Sequence, residues 1–143
     1  MTESNQWAKW HKLIALLAII WNLLGVGAYL MHAYMNEDAI ALLPENEQAL
    51  YANIPAWYTA SFAIAVFAGA IGSILLFLKK KLATPILVLS LLGIFVQMYY
   101  NFFVSKSMEV YGPGSVVMPI FVSLVGIFLV WYTKKLKAEG FLS

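Results

Sequence analysis

The chain has 143 residues, 62% hydrophobic and only 11% charged, with a formal net charge of +2 and no cysteine. Soluble domains average about 45–50% apolar and about 25% charged residues, so a water-soluble globule is excluded. The missing thiol excludes disulfides, thiolate metal sites and thiol redox relays, among them a quinone-coupled disulfide oxidant built on four spans.

Four stretches carry no charge: 13–34, 57–78, 83–104 and 115–133. A helix rises 1.5 Å per residue and needs roughly 20 residues to cross a hydrocarbon core of ~30 Å. The expectation is an all-α, integral membrane four-helix bundle, a single domain over residues 1–143. The first stretch is preceded by Lys9 and Lys12, like a signal peptide. Its apolar run is longer than the roughly 7–15 residues of a signal core, so it reads as an uncleaved span. It holds Asn22 and His32, and Gly25-Val26-Gly27 permits close helix crossing. With no preceding strand and no third glycine, that triplet is not a nucleotide-binding fingerprint.

Residues 35–56 form the one long connection. Asn36-Glu37-Asp38 reads as a cap with an acidic first turn, and Pro44-Glu45 restarts the pattern, so two short external helices are expected. The second span opens with Trp57 and carries Ser61, Ala65, Gly69 and Ser73 four residues apart. Such a small-residue ladder lets helix backbones approach closely in lipid. It packs the bundle or docks a second copy or a partner membrane protein, and helix packing is the favoured use.

Thr84-Pro85 reads as a cap with proline at the first helical position, starting the third span. That span contains IFVQMYYNFF at 94–103, in which Gln97 and Asn101 share one helical face. Amides facing lipid would be unsatisfied, so the face is expected to meet protein or a wet cup. Gly112-Pro113-Gly114 reads as a turn and Ser115 as a cap for the fourth span, with Pro119 delaying or kinking the helix.

All nine basic residues are lysines, and eight lie at one end of the spans: 9, 12, 79–81, 134, 135 and 137. Only Lys106 joins Glu37, Asp38, Glu45, Glu47 and Glu109 at the other. The positive-inside rule then places both termini in the cytoplasm. Positive-inside retention and lipid phosphates explain the lysine clusters, and no nucleic-acid partner is expected. Trp7, Trp10, Trp131 and Tyr132 are expected at the inner interface, and Tyr51, Trp57 and Tyr58 at the outer one.

No Asp, Glu, Lys or Arg lies within a span. Proton- or sodium-coupled carriers commonly use such a carboxylate, and a small multidrug exporter needs a glutamate in its first span. Paired carboxylates and a Ser-His-Asp set are likewise missing, so no enzyme is expected. His11 and His32 are about 31 Å apart along one helix, too far to share one haem iron; no cofactor or metal is expected. Helical rise puts Asn22 roughly 14 Å and Gln97 roughly 21 Å from the lysine end, with His32 and Asn101 near the opposite boundary. The expected site is an outward cup of Asn22, Trp57, Gln97, Tyr100 and Asn101, taking a neutral polar or cationic small molecule. Amides both donate to and accept from hydroxyls, and aromatic faces suit sugar rings or cations. The rival expectation is a non-catalytic scaffold or partner subunit docking through the second span.

At WNLLGVGAYLM (21–31), PAWYTASFAIAVFAGAIGSILLFLKK (55–80) and QMYYN (97–101), the chain resembles a family of small bacterial four-span membrane proteins. Some members carry a sugar-transporter label. The resemblance implies a bacterial inner-membrane location and a four-helix bundle, and it assigns no site residue.

Overall fold

A computed structural model describes residues 2–52, 54–105 and 107–143, with the side chains of residues 2–8, 107, 108, 113 and 115 left aside. Lys106 and the side chains of Trp7 and Ser115, all singled out above, lie outside the described residues. Every regular element among them is helical: α1 (Thr2–Ala33), α2 (Glu37–Ala41), α3 (Glu45–Ala52), α4 (Ala56–Phe77), α5 (Ala83–Tyr99), α6 (Ser107–Tyr111) and α7 (Val117–Ala138). A π-helical turn, Tyr100–Val104, extends α5, and a 3-10 turn, Pro113–Val116, leads into α7. The segments Lys9–Ala33, Ala56–Phe77, Ala83–Val104 and Val117–Ala138 are each long and apolar enough to cross a membrane. The chain is a multi-pass membrane protein with a four-helix bundle.

Element boundaries follow local chemistry, with one departure from expectation. Asn36 caps α2, its Oδ1 accepting from the Ala39 N–H at 2.8 Å. Thr84 does not cap α5. The helix starts at Ala83, and the Thr84 hydroxyl instead meets the Thr133 hydroxyl of α7 at 3.1 Å. Pro85 sits in the first turn, where its missing N–H leaves no intrahelical bond unmade. Pro119 occupies the same position in α7, which begins at Val117. The π turn is a wider coil, in which the Ser105 N–H reaches Tyr100 O at 2.8 Å.

The closest helix packing joins α4 to α5, α1 to α4, and α5 to α7. Small residues make this possible. A Cβ on Gly93 of α5 would lie 2.9 Å from Ala65 N and Ser61 O, so the α4 and α5 backbones almost touch. The ladder is consumed in this packing: Ser61, Ala65, Gly69 and Ser73 are all buried inside the chain. As a docking face for a second copy or partner, those residues are already covered by the chain's own helices.

The core is concentrated at the lysine-rich end. Ala15, Leu76, Ala83, Tyr132, Leu136 and Leu142 are fully or almost fully buried there. Tyr132 was expected as an interfacial anchor; it is instead 0% exposed, while Trp10 and Trp131 are each 52% exposed. Tyr58 is likewise interior rather than interfacial. Their hydroxyls find partners within the bundle, which removes the reason to seek the headgroup layer. The outward faces are apolar, with Leu24, Met31, Phe103 and Val117 among the most exposed residues, as lipid requires.

Candidate functional site

Each packed helix pair carries its own polar link. Asn22 of α1 donates through Nδ2 to Ser73 Oγ on α4 at 3.1 Å and to Ala18 O of its own helix at 2.9 Å. Ser73 in turn donates to Gly69 O at 2.7 Å. Ser90 of α5 donates to Ala65 O of α4 at 2.6 Å. Thr84 and Thr133 link α5 to α7. The amide stripe faces this set: the side chains of Gln97 and Asn101 act on the hydroxyl of Tyr58 on α4. In a medium without water, each link satisfies groups that would otherwise be stranded.

His11 is the hub of the lysine-rich end. It is 0% exposed and joins three helices. Its Nε2 lies 2.8 Å from Leu76 O, and a carbonyl can only accept, so Nε2 carries the proton. Nδ1 then accepts from the Tyr132 hydroxyl at 3.2 Å. The Phe141 ring closes the hub edge-on, 5.0 Å between centroids. Sequence reasoning weighed His11 only as a haem ligand. Its structural partners lie 65 and 121 residues away, so no local pattern could reveal them.

Toward the acidic end the helices diverge around a cavity of about 410 Å³, lined by residues of all four spans. It lies between α1 and α7, which are not among the closely packed pairs. Three predicted site residues line it: Asn22, Gln97 and Asn101. Most of the remaining wall is apolar, with Leu24, Phe62, Ile94, Met98, Val122 and Leu129 as examples. Gly69 makes room for Asn22, since a Cβ there would overlap Asn22 Oδ1. With both Nδ2 bonds made, no described protein group donates to that oxygen, which stands beside Gly69 at the cavity wall.

A second, smaller cavity of about 140 Å³ sits at the acidic end, against α3 and α6. His32, Tyr51, Tyr58, Tyr100 and Tyr111 form most of its wall. The Tyr58 and Tyr100 rings meet tilted by 32° with centroids 4.2 Å apart, and His32 packs on Tyr51 and Tyr58 at 5.9 and 5.6 Å. Asn101 lines both cavities. The hydroxyl of Tyr111 is pushed above its ordinary value by burial first, then by the charges of Glu47 and Tyr51.

The five predicted residues therefore divide. Asn22, Gln97 and Asn101 share the large cavity, Tyr100 belongs to the outer aromatic one, and Trp57 lines neither of the two. Trp57 is 45% exposed and packs edge-on against Tyr100 at 5.5 Å. Sequence reading placed Trp57 by depth alone, and helix rotation turned its ring outward. Tyr58 was missed as a site residue because it resembled a belt aromatic. No family model, curated protein or solved structure matches this chain.

Proposed function

We propose that this membrane protein binds a small molecule with an apolar body and one or two hydrogen-bonding groups in the interhelical cavity, as a carrier or facilitator. The observation that carries the reading is the convergence of Asn22, Gln97 and Asn101 on one cavity of about 410 Å³ with an otherwise apolar wall. That size lies within the ordinary range of ligand pockets, roughly 300–1,000 Å³, and a few placed polar groups in an apolar wall are their usual make-up. The amides orient the ligand's hydroxyl or carbonyl, and the Asn22 oxygen is an acceptor ready for a donor. The sparsely packed seam between α1 and α7 is the entry route from the bilayer.

The lysine distribution supports a cytoplasmic location for both termini in a bacterial inner membrane. A C-terminal fluorescent reporter that matures only in the cytoplasm is expected to be bright; a dark fusion refutes this orientation.

The test of binding is a thermal-stability screen of purified protein in maltoside micelles against short alkanols, cyclic ketones, polyols and alkylammonium salts. A ligand at 100 times its Kd stabilises by about 2.7 kcal/mol. At least one amphipathic member should raise the melting temperature in a saturable way, and Gln97→Leu should abolish the shift. If no compound stabilises the wild type, or if Gln97→Leu responds identically, the reading is wrong.

A further inference from the structure

The outer cavity has a chemistry of its own. Five of its nine lining residues are aromatic, four of them tyrosines, and none carries a formal charge when His32 is neutral. No carboxylate lines this wall, and Glu47 acts on Tyr111 through its charge. In the sequence, the segments between the spans at this end, 35–56 and 105–112, carry five carboxylates and one lysine. The potential at this mouth is thus negative, while the surfaces a ligand touches are ring edges, ring faces and hydroxyls. A small, strongly hydrated ammonium would need a carboxylate in the wall itself. A methylated ammonium ion, diffuse in charge and weakly hydrated, is what an aromatic box binds. The volume is that of about four to five waters at ~30 Å³ each, the scale of a trimethylammonium group.

The second observation is the shared wall residue. Asn101 borders both cavities, so a head group in the aromatic box has the large apolar cavity directly beside it. We infer that the ligand is an amphiphilic cation: a methylated ammonium head held by Tyr51, Tyr58, Tyr100, Tyr111 and His32, and an apolar tail lying in the interhelical cavity past Asn101. This rests on the binding role proposed above and names its ligand class.

The test titrates hexyltrimethylammonium and 1-hexanol separately into the full chain in maltoside micelles, read by thermal stability and tryptophan fluorescence. The cation should bind about tenfold tighter than the alcohol, the margin that cation–π contacts with several rings at once provide. Tyr51→Leu/Tyr111→Leu, altered outside the spans, should remove this preference and retain hexanol binding. Glu47→Gln should weaken the cation several-fold, less at high salt, and leave hexanol unchanged. Equal affinity for the two probes overturns the inference and leaves the binding role standing, whereas binding of neither overturns both. Cation affinity that survives both the tyrosine and the glutamate variants also overturns it. Competition by dihexanoylphosphatidylcholine identifies a lipid head group as the source of the ammonium, and its absence identifies a free amphiphile; either result supports the ligand class.

Discussion

His11 and Tyr132 show how much one buried side chain holds in a lipid-facing bundle. His11 ties α1 to α4 through Leu76 O and to α7 through Tyr132. Its removal deletes both hydrogen bonds, each worth about 0.5–1.5 kcal/mol, and opens a cavity among buried side chains, while the Lys79 N–H still reaches Leu76 O at 3.0 Å. His11→Ala is therefore expected to destabilise the protein by about 2–4 kcal/mol. Tyr132→Phe keeps the ring in place and should cost only about 1 kcal/mol. Thermal unfolding in one detergent checks both, and a His11→Ala protein that melts with the wild type would show that the hub carries no stability. Gln97 and Asn101 differ from His11, because they act on the Tyr58 hydroxyl and also face a cavity. Such residues combine interhelical linkage with a surface open to a ligand, which their spacing in sequence could not separate.

Helix packing rests on glycine, and the glycines are not equivalent. At Gly93 an added Cβ meets the backbone of α4, which cannot move without the helix. At Gly69 it meets the end of the Asn22 side chain, which can swing away at the cost of its bond to Ser73. At Gly27 nothing lies within 4 Å. The expected order of damage is Gly93→Ala, then Gly69→Ala, with Gly27→Ala neutral or stabilising. Overpacking costs about 1–3 kcal/mol at Gly93, and alanine gains up to about 1 kcal/mol of helix propensity at Gly27. Melting temperatures of the three variants test this; a tolerant Gly93→Ala would contradict the close α4–α5 contact. The π turn after α5 belongs to the same scale. It has no sequence signature in YNFFV, and Asn101 and Ser105, within and just after it, both line the outer cavity.

The whole molecule is firm at one end and divided at the other. Its core lies at the lysine-rich end, and the cavity opens where α1 and α7 part. Trp21 and Phe121 meet edge-on across this seam, 5.2 Å between centroids. The chain has no cysteine, so a pair introduced at these two positions gives a clean cross-linking background. A thiol-specific bridge between Trp21→Cys and Phe121→Cys should slow or abolish ligand uptake while leaving the melting temperature unchanged or higher. Uptake at the uncross-linked rate would rule out the seam as the entrance.

Four apolar stretches of membrane length, the short acidic helices α2 and α3 and the lysine asymmetry were all legible in the sequence. Those features depend on composition and local capping, and they survive without knowledge of any partner. The inward-facing amide stripe was legible too, since an amide in lipid has nowhere else to point. What only tertiary structure decided is the rotation of each helix about its axis. A rotation of about 100° separates neighbouring residues. It turned Trp57 outward and Tyr58 inward, though both begin the same helix. It also buried Tyr132 against His11, spent the small-residue ladder inside the chain, and brought Asn22 to the cavity shared with Gln97 and Asn101. Rotation is set by the sum of contacts among four helices, and in a chain apolar on nearly every face no periodic pattern records it.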